Sequence, residues 1–465
     1  MNVLVLDCGS SALKATIFAA DGRVIATIDA AYPEPAGPHR RDPADWWQAA
    51  VTAVGKLPRA GVGSIALTGM MENLIPAGAD GSAVGDAAIY SDPVGAGAHA
   101  GLSPRLDALG ATAILGNAPE PLMTAFKLLA VGASGARWIL PGSKDYLALK
   151  LTGVAATDPS CASTSGLMDI GLRDWSPVLL DVFEIDRGQF PAILAADAVV
   201  GPLTEAAAGH LGLSAGIPVI NGCGDGAATT IGSGAERPDE VSIYLGTSGW
   251  VAGVTAETDR SPRPYYRLAH PLHDGLIEIA PILSAGAAAQ WARDTLGLAL
   301  PEAERLAADA DKAPGSALFL PYLNGERSPF VDLELRAGFA NVSAGDGAGA
   351  LYYATLEGVA FAIAANVRAM GARGSVYLVG GGARSAIWPQ VMADVLGRDV
   401  TVPEHPVLAA SLGAYRIAAK ALGLTVGSAA QGRVYRPRPE RAERIGRQTR
   451  AFERATTMLR ELARD

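Results

Sequence analysis

Two short turns of glycine and serine or threonine, each set between strand-like apolar runs, constrain this 465-residue chain more than any other feature. The first is Gly9-Ser10-Ser11. It follows the run Val3–Leu6 and Asp7-Cys8, and it precedes a second apolar run that ends in a hairpin turn at Asp21-Gly22 and a third run. The second is Gly246-Thr247-Ser248-Gly249, in "EVSIYLGTSGWVAGVTA". Small residues at a tight turn let backbone N–H groups approach an anion closely. One such turn is equally a plain β-hairpin. Two of them, at matching places in two strand–turn–strand units, suggest related halves that grip a phosphate chain between them. The chain is too long for one compact core. The boundary is placed near residue 235, in "GAERPDE", giving domains 1–235 and 236–465.

Other groups sit at the ends of predicted strands. Asp7 is placed to hold Mg²⁺ through water, and Lys14 to aim its charge at the same spot. "IPVINGCGDGAATTIGSG" reads as strand, glycine turn, helix, with Asp225 flanked by Gly224 and Gly226 where open α/β sheets bind ligands. A carboxylate there suits a general base for a weakly acidic hydroxyl, and it equally suits a helix N-cap. Gly380-Gly381-Gly382-Ala383-Arg384-Ser385 follows "SVYLV" and precedes a helix. Its glycines would let an adenine and ribose lie against backbone. A dinucleotide-binding turn is the competing reading, but the spacing is not G-x-G-x-x-G. Glu72, in Thr68-Gly69-Met70-Met71-Glu72-Asn73, and Asp92 lie just beyond apolar strands, as acceptors for sugar hydroxyls or as plain loop acids.

Composition narrows the function. A net charge of −9 disfavours nucleic acid as a partner. The three cysteines, Cys8, Cys161 and Cys223, are too few for a disulfide framework and lack metal-site spacing, which fits a cytoplasmic protein. The first strand meets Asp7 at once, without a basic leader, and no continuous apolar run reaches the ~18 residues a membrane helix requires. An Arg- and Glu-rich helix is expected from about Pro439 to Ala463, its alternating charges making a solvated face.

In sum these segments resemble the FGGY carbohydrate kinases, over nearly the whole chain. "VLVLDCGSSALKATIF" is similar to their first phosphate hairpin and "YLGTSGW" to the second. "NGCGDGAATTIGSG" is similar to the segment that holds their catalytic aspartate, which falls on Asp225. "AGAAAQWARD" is similar to one whose glycine contacts nucleotide, here Gly286. "KDYLALKLTGVAATDPSCAS", "LPYLNGERSPFVDLELRAGFANVS" and "GGGARSAIWPQVMADVLG" follow in order. The resemblance implies two RNase H-like domains of the actin/hexokinase type, with an ATP cleft between them. It implies ATP contacts at Gly9, Ser10, Ser11, Lys14, Gly246, Thr247, Ser248, Gly286, Gly381, Gly382, Ala383 and Arg384. Sugar contacts would fall on Met71, Glu72, Asp92 and Asp225, and Mg²⁺ on Asp7.

Two departures bear on the substrate. The xylulokinase pattern Gln-Met-His-Gly is Met70-Met71-Glu72-Asn73 here, with a glutamate where glycerol kinases carry one. The pattern Trp-x-Asp-x-Arg is Tyr90-Ser91-Asp92-Pro93-Val94, without its arginine. The remaining segments lean toward xylulokinase. The implied activity is phosphorylation of a sugar or polyol by ATP, most simply a ketopentose. The alternatives are another ketose or polyol, a non-catalytic ATP and sugar sensor, or an oxidoreductase using "GGGAR". A homodimer is left open.

Overall fold

The computed structural model describes residues 1–35, 37–256, 263–425 and 432–463. In the first half, the strands β1 (Asn2–Cys8), β2 (Ala12–Phe18), β3 (Val24–Ala31), β4 (Val62–Gly69), β5 (Val199–Pro202) and β6 (Pro218–Gly224) form one sheet in the order β5-β6-β4-β1-β2-β3. In the second half, β7 (Val241–Leu245), β8 (Gly249–Thr255), β9 (Tyr266–Ala269), β10 (Leu276–Ile282), β11 (Val376–Val379), β12 (Val400–Pro403) and β13 (Gly432–Tyr435) form another, in the order β9-β10-β8-β7-β11-β12-β13. The helices that matter below are α1 (Thr124–Val131), α2 (Ser143–Thr152), α3 (Asp225–Ser233), α4 (Gly286–Leu296), α5 (Ala348–Met370), α6 (Ala409–Ala421) and α7 (Ala442–Leu462).

The two sheets repeat one plan. β1-β2-β3 is an antiparallel meander, and β4 and then β6 add parallel to β1. In the second half β7-β8-β10 is the meander, and β11 and β12 are the parallel additions. Central β1 is apolar on both faces, and Val3 to Leu6 are wholly buried, as a strand covered by layers on each side must be. The parallel strands end level: Asp7 is opposite Thr68, and Gly224 is opposite Gly69. In the second sheet Tyr244 is opposite Val379, so Gly246 and Gly380 leave the sheet at the same edge.

Between Ile220 and Cys223 the register of β6 against β4 slips by one residue, a β-bulge centred on Gly222. Gly222 has φ +67°, and a Cβ there would sit 1.6 Å from the Leu67 carbonyl oxygen. Gly222→Ala is therefore expected to cost roughly 3 kcal/mol or more in stability, measurable as a lowered Tm.

The halves are joined by a crossing of helices α3 and α6. α3 and α6 cross with Gly232 against Ala409 and Gly413 against Ala228, where an added Cβ would come within 1.8 and 1.9 Å of the facing carbonyl oxygens. Helix α5 is long and apolar enough to cross a membrane by length and composition, but 72% of its apolar window is buried, in the second core. Helix α7 departs from the expected solvated face. Ile445 and Phe452 are buried, and Arg444 pairs with buried Glu357 of α5. The reach of arginine lets one face of an Arg-rich helix seal a core. Cys8 and Cys223 lie in strands β1 and β6 and are buried free thiols.

Candidate active site

β1 delivers Asp7 to the aligned strand ends. Burial raises its carboxyl above the usual range, against the pull of Lys14, which faces it across the β1–β2 ladder. Lys14 Nζ also donates to the Val407 carbonyl of the second half at 3.4 Å. The hairpin that follows leaves Ser10 and Ser11 exposed, and the Tyr32 hydroxyl donates to the Gly9 carbonyl at 3.1 Å.

Asp225 is the first residue of α3, with Gly224 as the N-cap in its place. Its Oδ1 accepts the Gly226 N–H at 2.8 Å. Burial, then the nearby charge of Asp7, pushes its carboxyl up to about 7, against the Gly226 hydrogen bond. Tyr244, two residues before Gly246, feels the charges of both Asp225 and Asp7. Asp7 stands two residues before Gly9. Asp7, at the base of the first hairpin, thus acts on the Asp225 carboxyl, and Tyr244, at the base of the second, lies within the field of both acids. Met71 packs on this turn, its Sδ 2.0 Å from where a Cβ on Gly224 would lie.

The second hairpin leaves Thr247 and Ser248 exposed. Helix α4 starts directly on it. The Gly286 N–H donates to the Gly246 carbonyl at 2.8 Å, the Ala287 N–H donates to the Thr247 carbonyl at 2.8 Å, and a Cβ on Gly286 would lie 2.4 Å from the Gly246 oxygen. Gly381–Arg384 form a 3₁₀ turn after β11, with Gly380 and Gly382 against Leu245. Ala383 is buried and Arg384 exposed, so Ala383 offers only backbone to a ligand. These glycines, scattered in sequence, form one neighbourhood.

Glu72 and Asp92 differ. Glu72 holds φ 60°, a left-handed backbone that a glutamate adopts only under constraint. The wholly buried Lys127 of α1 supplies that constraint, donating to the carbonyls of Glu72 (2.6 Å) and Ile89 (2.8 Å). Burial raises Glu72 and lowers Lys127. The Tyr266 hydroxyl, from the second half, donates to Glu72 Oε1 at 3.2 Å. Beside them Arg327 of the second half pairs with Glu120 of the first at 2.7 Å. Asp92 is more fully engaged. One oxygen accepts the Val94 N–H at 2.9 Å, and the other pairs with Arg40 Nε at 2.8 Å. The arginine missing at Val94 is supplied to Asp92 by Arg40, from the two-residue strand Arg40–Arg41. This pair borders a hollow of about 330 Å³ lined also by Pro38, His39, Pro93 and Val94. Lys127→Met would free the Glu72 turn. If Glu72 holds the acceptor, as the resemblance implies, a roughly tenfold rise in its KM is expected, the scale of one buried charged hydrogen bond, with the nucleotide KM unchanged.

Residues 2–232 match the N-terminal domain of the FGGY family of carbohydrate kinases, and residues 241–422 match its C-terminal domain. The chain belongs to this family. The FGGY kinase of this sequence is 31% identical over 434 residues to the xylulose kinase of Escherichia coli (strain K12), covering 89% of this chain and 88% of that one. It is 29% identical over 437 residues to the glycerol kinase of Gloeobacter violaceus, covering 86% and 84%. A crystal structure described as a xyloylose kinase from Brucella ovis superposes with a TM-score of 0.89 at 29% identity, over 99% of this chain and all of that one. The FGGY kinase is a phosphotransferase that acts on a carbohydrate, built on the two-domain α/β fold of that family.

Tyr244, Tyr266, Lys127, Arg327 and Glu120 were not singled out by sequence reasoning. Lys127 had a signal, being the lone cation in an apolar helix. Tyr266 and Arg327 act on residues of the other half, and nothing local marks that.

Proposed function

We propose that this FGGY kinase transfers the γ-phosphoryl group of ATP to a hydroxyl of a ketopentose, xylulose first among them. The observation that carries this is the Asp225 carboxyl itself, which follows the strand end that lies level with β4 and with Asp7 of β1 at the base of the first hairpin, and which burial and the charge of Asp7 raise. The acceptor binds against Met71 and Glu72, with Asp92 and Arg40 shaping the outer wall. The nucleotide lies along Gly9–Ser11 and Lys14 on one side, and along Gly246–Ser248, Gly286 and Gly381–Arg384 on the other. Asp225 takes the hydroxyl proton as the oxygen attacks phosphorus, the bond to the bridging oxygen breaks, and ADP leaves. Exposed backbone N–H groups of the two turns are suited to the charge that spreads over the transferring oxygens. Burial raises Asp7, the charge of Asp7 helps to raise Asp225, and Lys14 is the cation that faces Asp7, a donor set that fits Mg²⁺ held through water by Asp7. Bound there, the ion would neutralise phosphate charge. Domains 1–235 and 236–465 would close about the segment near 235 and exclude water, and the cytoplasm, with its ATP and reduced thiols, suits the reaction.

A base must be ionised to work. With a pKa of about 7, kcat should fall about tenfold per pH unit below that value and level off above it. A pH–kcat profile flat from 5 to 8 would contradict this.

A second reading is favoured by Glu72, a glutamate where glycerol kinases resemble this chain: the acceptor is a polyol. Coupled ADP release across ketoses, pentitols and glycerol decides. Selective stimulation by xylulose supports the ketopentose, and stimulation by glycerol or a pentitol instead overturns it. ADP release indifferent to every ketose, pentitol and glycerol in the panel would overturn both readings of the acceptor.

A further inference from the structure

Behind the strand that leads into Asp225 lies a buried chain of charges that no step above uses. Lys144, Asp145, Asp158, Ser160 and Asn221 have no exposed surface. Lys144 Nζ donates to Asp145 Oδ1 at 2.7 Å and to Asn221 Oδ1 at 3.1 Å, and it pairs with Asp158 Oδ1 at 3.2 Å. Asp158 Oδ2 accepts both the N–H (2.8 Å) and the hydroxyl (2.5 Å) of Ser160. With its hydroxyl proton committed to Asp158, Ser160 Oγ turns a lone pair outward and accepts the Gly224 N–H at 3.0 Å. Asp145 Oδ2 is held by Thr157 Oγ1 and the Gly142 N–H, each at 2.8 Å. Asn221 Nδ2 donates to the Thr157 and Leu194 carbonyls at 3.0 and 3.1 Å. Asp145, Asp158 and Cys161 lie close enough to bracket a metal ion, and the Lys144 ammonium is the cation among them.

The network touches β6 at two points, Asn221 and Gly224, one on each side of the bulge at Gly222. A bulge re-aims the chain beyond it, but it also interrupts the ladder that would fix that chain. Beyond it only Cys223 and Gly224 resume the pairing, opposite Thr68 and Gly69, before the strand ends and Asp225 follows. We infer that Lys144, Asp158 and Ser160 are positioning residues that lock the bulged end of β6, so that Asp225 points at the acceptor hydroxyl. This rests on the assignment of Asp225 as the base. A buried ion set whose charges are paired is rigid, because each bond in it is strong where water is absent and costly to break. Rigidity is what a base needs, since a displacement of about 1 Å can cost about 10²-fold in rate.

Ser160→Ala removes the acceptor of the Gly224 N–H and leaves the ion pairs in place. In coupled ADP-release assays on the full chain, kcat is expected to fall about tenfold or more, with the KM for ATP and for the acceptor each within about twofold. Ser160→Thr, which keeps the hydroxyl, should recover most of the rate. Ser160→Cys keeps the volume but accepts hydrogen bonds weakly, and carries the same test if the alanine variant does not accumulate folded. A merely structural role would lower Tm without this split between kcat and KM, and without rescue by threonine. Wild-type kcat in Ser160→Ala, or a loss that threonine does not restore, overturns the inference. Asp225→Asn, run in parallel, separates the two failures. If it is inactive while Ser160→Ala is normal, only the positioning role falls. If it is active, the base assignment falls first.

Discussion

Asp225→Asn is expected to lose between two and four decades of kcat while nucleotide affinity stays within about twofold, because an amide cannot take the hydroxyl proton. The substitution keeps size and the acceptor for the Gly226 N–H, so the turn survives. A second readout follows from burial. The carboxyl is raised from 3.8 to about 7 in the fold, so between those values the native state holds a proton that the unfolded chain has released. Stability contributed by this group falls as pH rises through that window, and above 7 the fold carries a buried charge it would rather lack. The asparagine has no such charge. Its Tm should exceed that of the parent by a margin that grows from pH 4 to pH 7 and then stays constant. Inactivity joined to greater stability at pH 8 is the signature of a group kept for chemistry. Loss of activity with lower stability at every pH would point to a structural aspartate.

The second large effect belongs to the helix crossing that joins the halves. Gly232→Ala puts a Cβ 1.8 Å from the Ala409 oxygen, and Gly413→Ala puts one 1.9 Å from the Ala228 oxygen. Backbone cannot yield locally at such distances, so α3 and α6 must separate. Each change should cost about 3–5 kcal/mol and lower activity as well, since α3 carries Asp225 at its first turn. The contacts are reciprocal, so once the first methyl has spread the helices, the second meets open space. The double variant should therefore melt close to the worse single variant, far from the sum of the two. Thermal unfolding of the three proteins checks this. Additive losses would mean that the two contacts are independent and the crossing is not one unit.

Much of this was legible in the sequence because it is local. The apolar run of β1, the Asp21-Gly22 turn and the repeat of strand, small turn and strand mark both meanders, and the glycines around Asp225 mark the turn that opens α3. What escaped depends on distance along the chain. Tyr266 meets Glu72, Arg327 meets Glu120, and Arg444 meets Glu357 only after folding, and no local periodicity encodes a partner so far away. The left-handed backbone of Glu72 escaped for another reason: the residue type argues against it, and it exists because Lys127 clasps the carbonyl from outside. The bulge at Gly222 is a register slip between two strands, and a single strand cannot show one. Asp92 shows the limit of reading a loop acid by position, since Arg40 and Val94 engage both of its oxygens.

The most direct test is a crystal structure of the complex with a non-hydrolysable ATP analogue and D-xylulose. The account predicts phosphate oxygens within hydrogen-bond reach of backbone N–H groups in both hairpins, at Gly9–Ser11 and at Gly246–Ser248. It also predicts a sugar hydroxyl about 2.6–3.2 Å from an Asp225 oxygen, in line with the terminal phosphorus. Phosphates bound by one hairpin alone, or an Asp225 carboxylate with no sugar hydroxyl in reach, would contradict it.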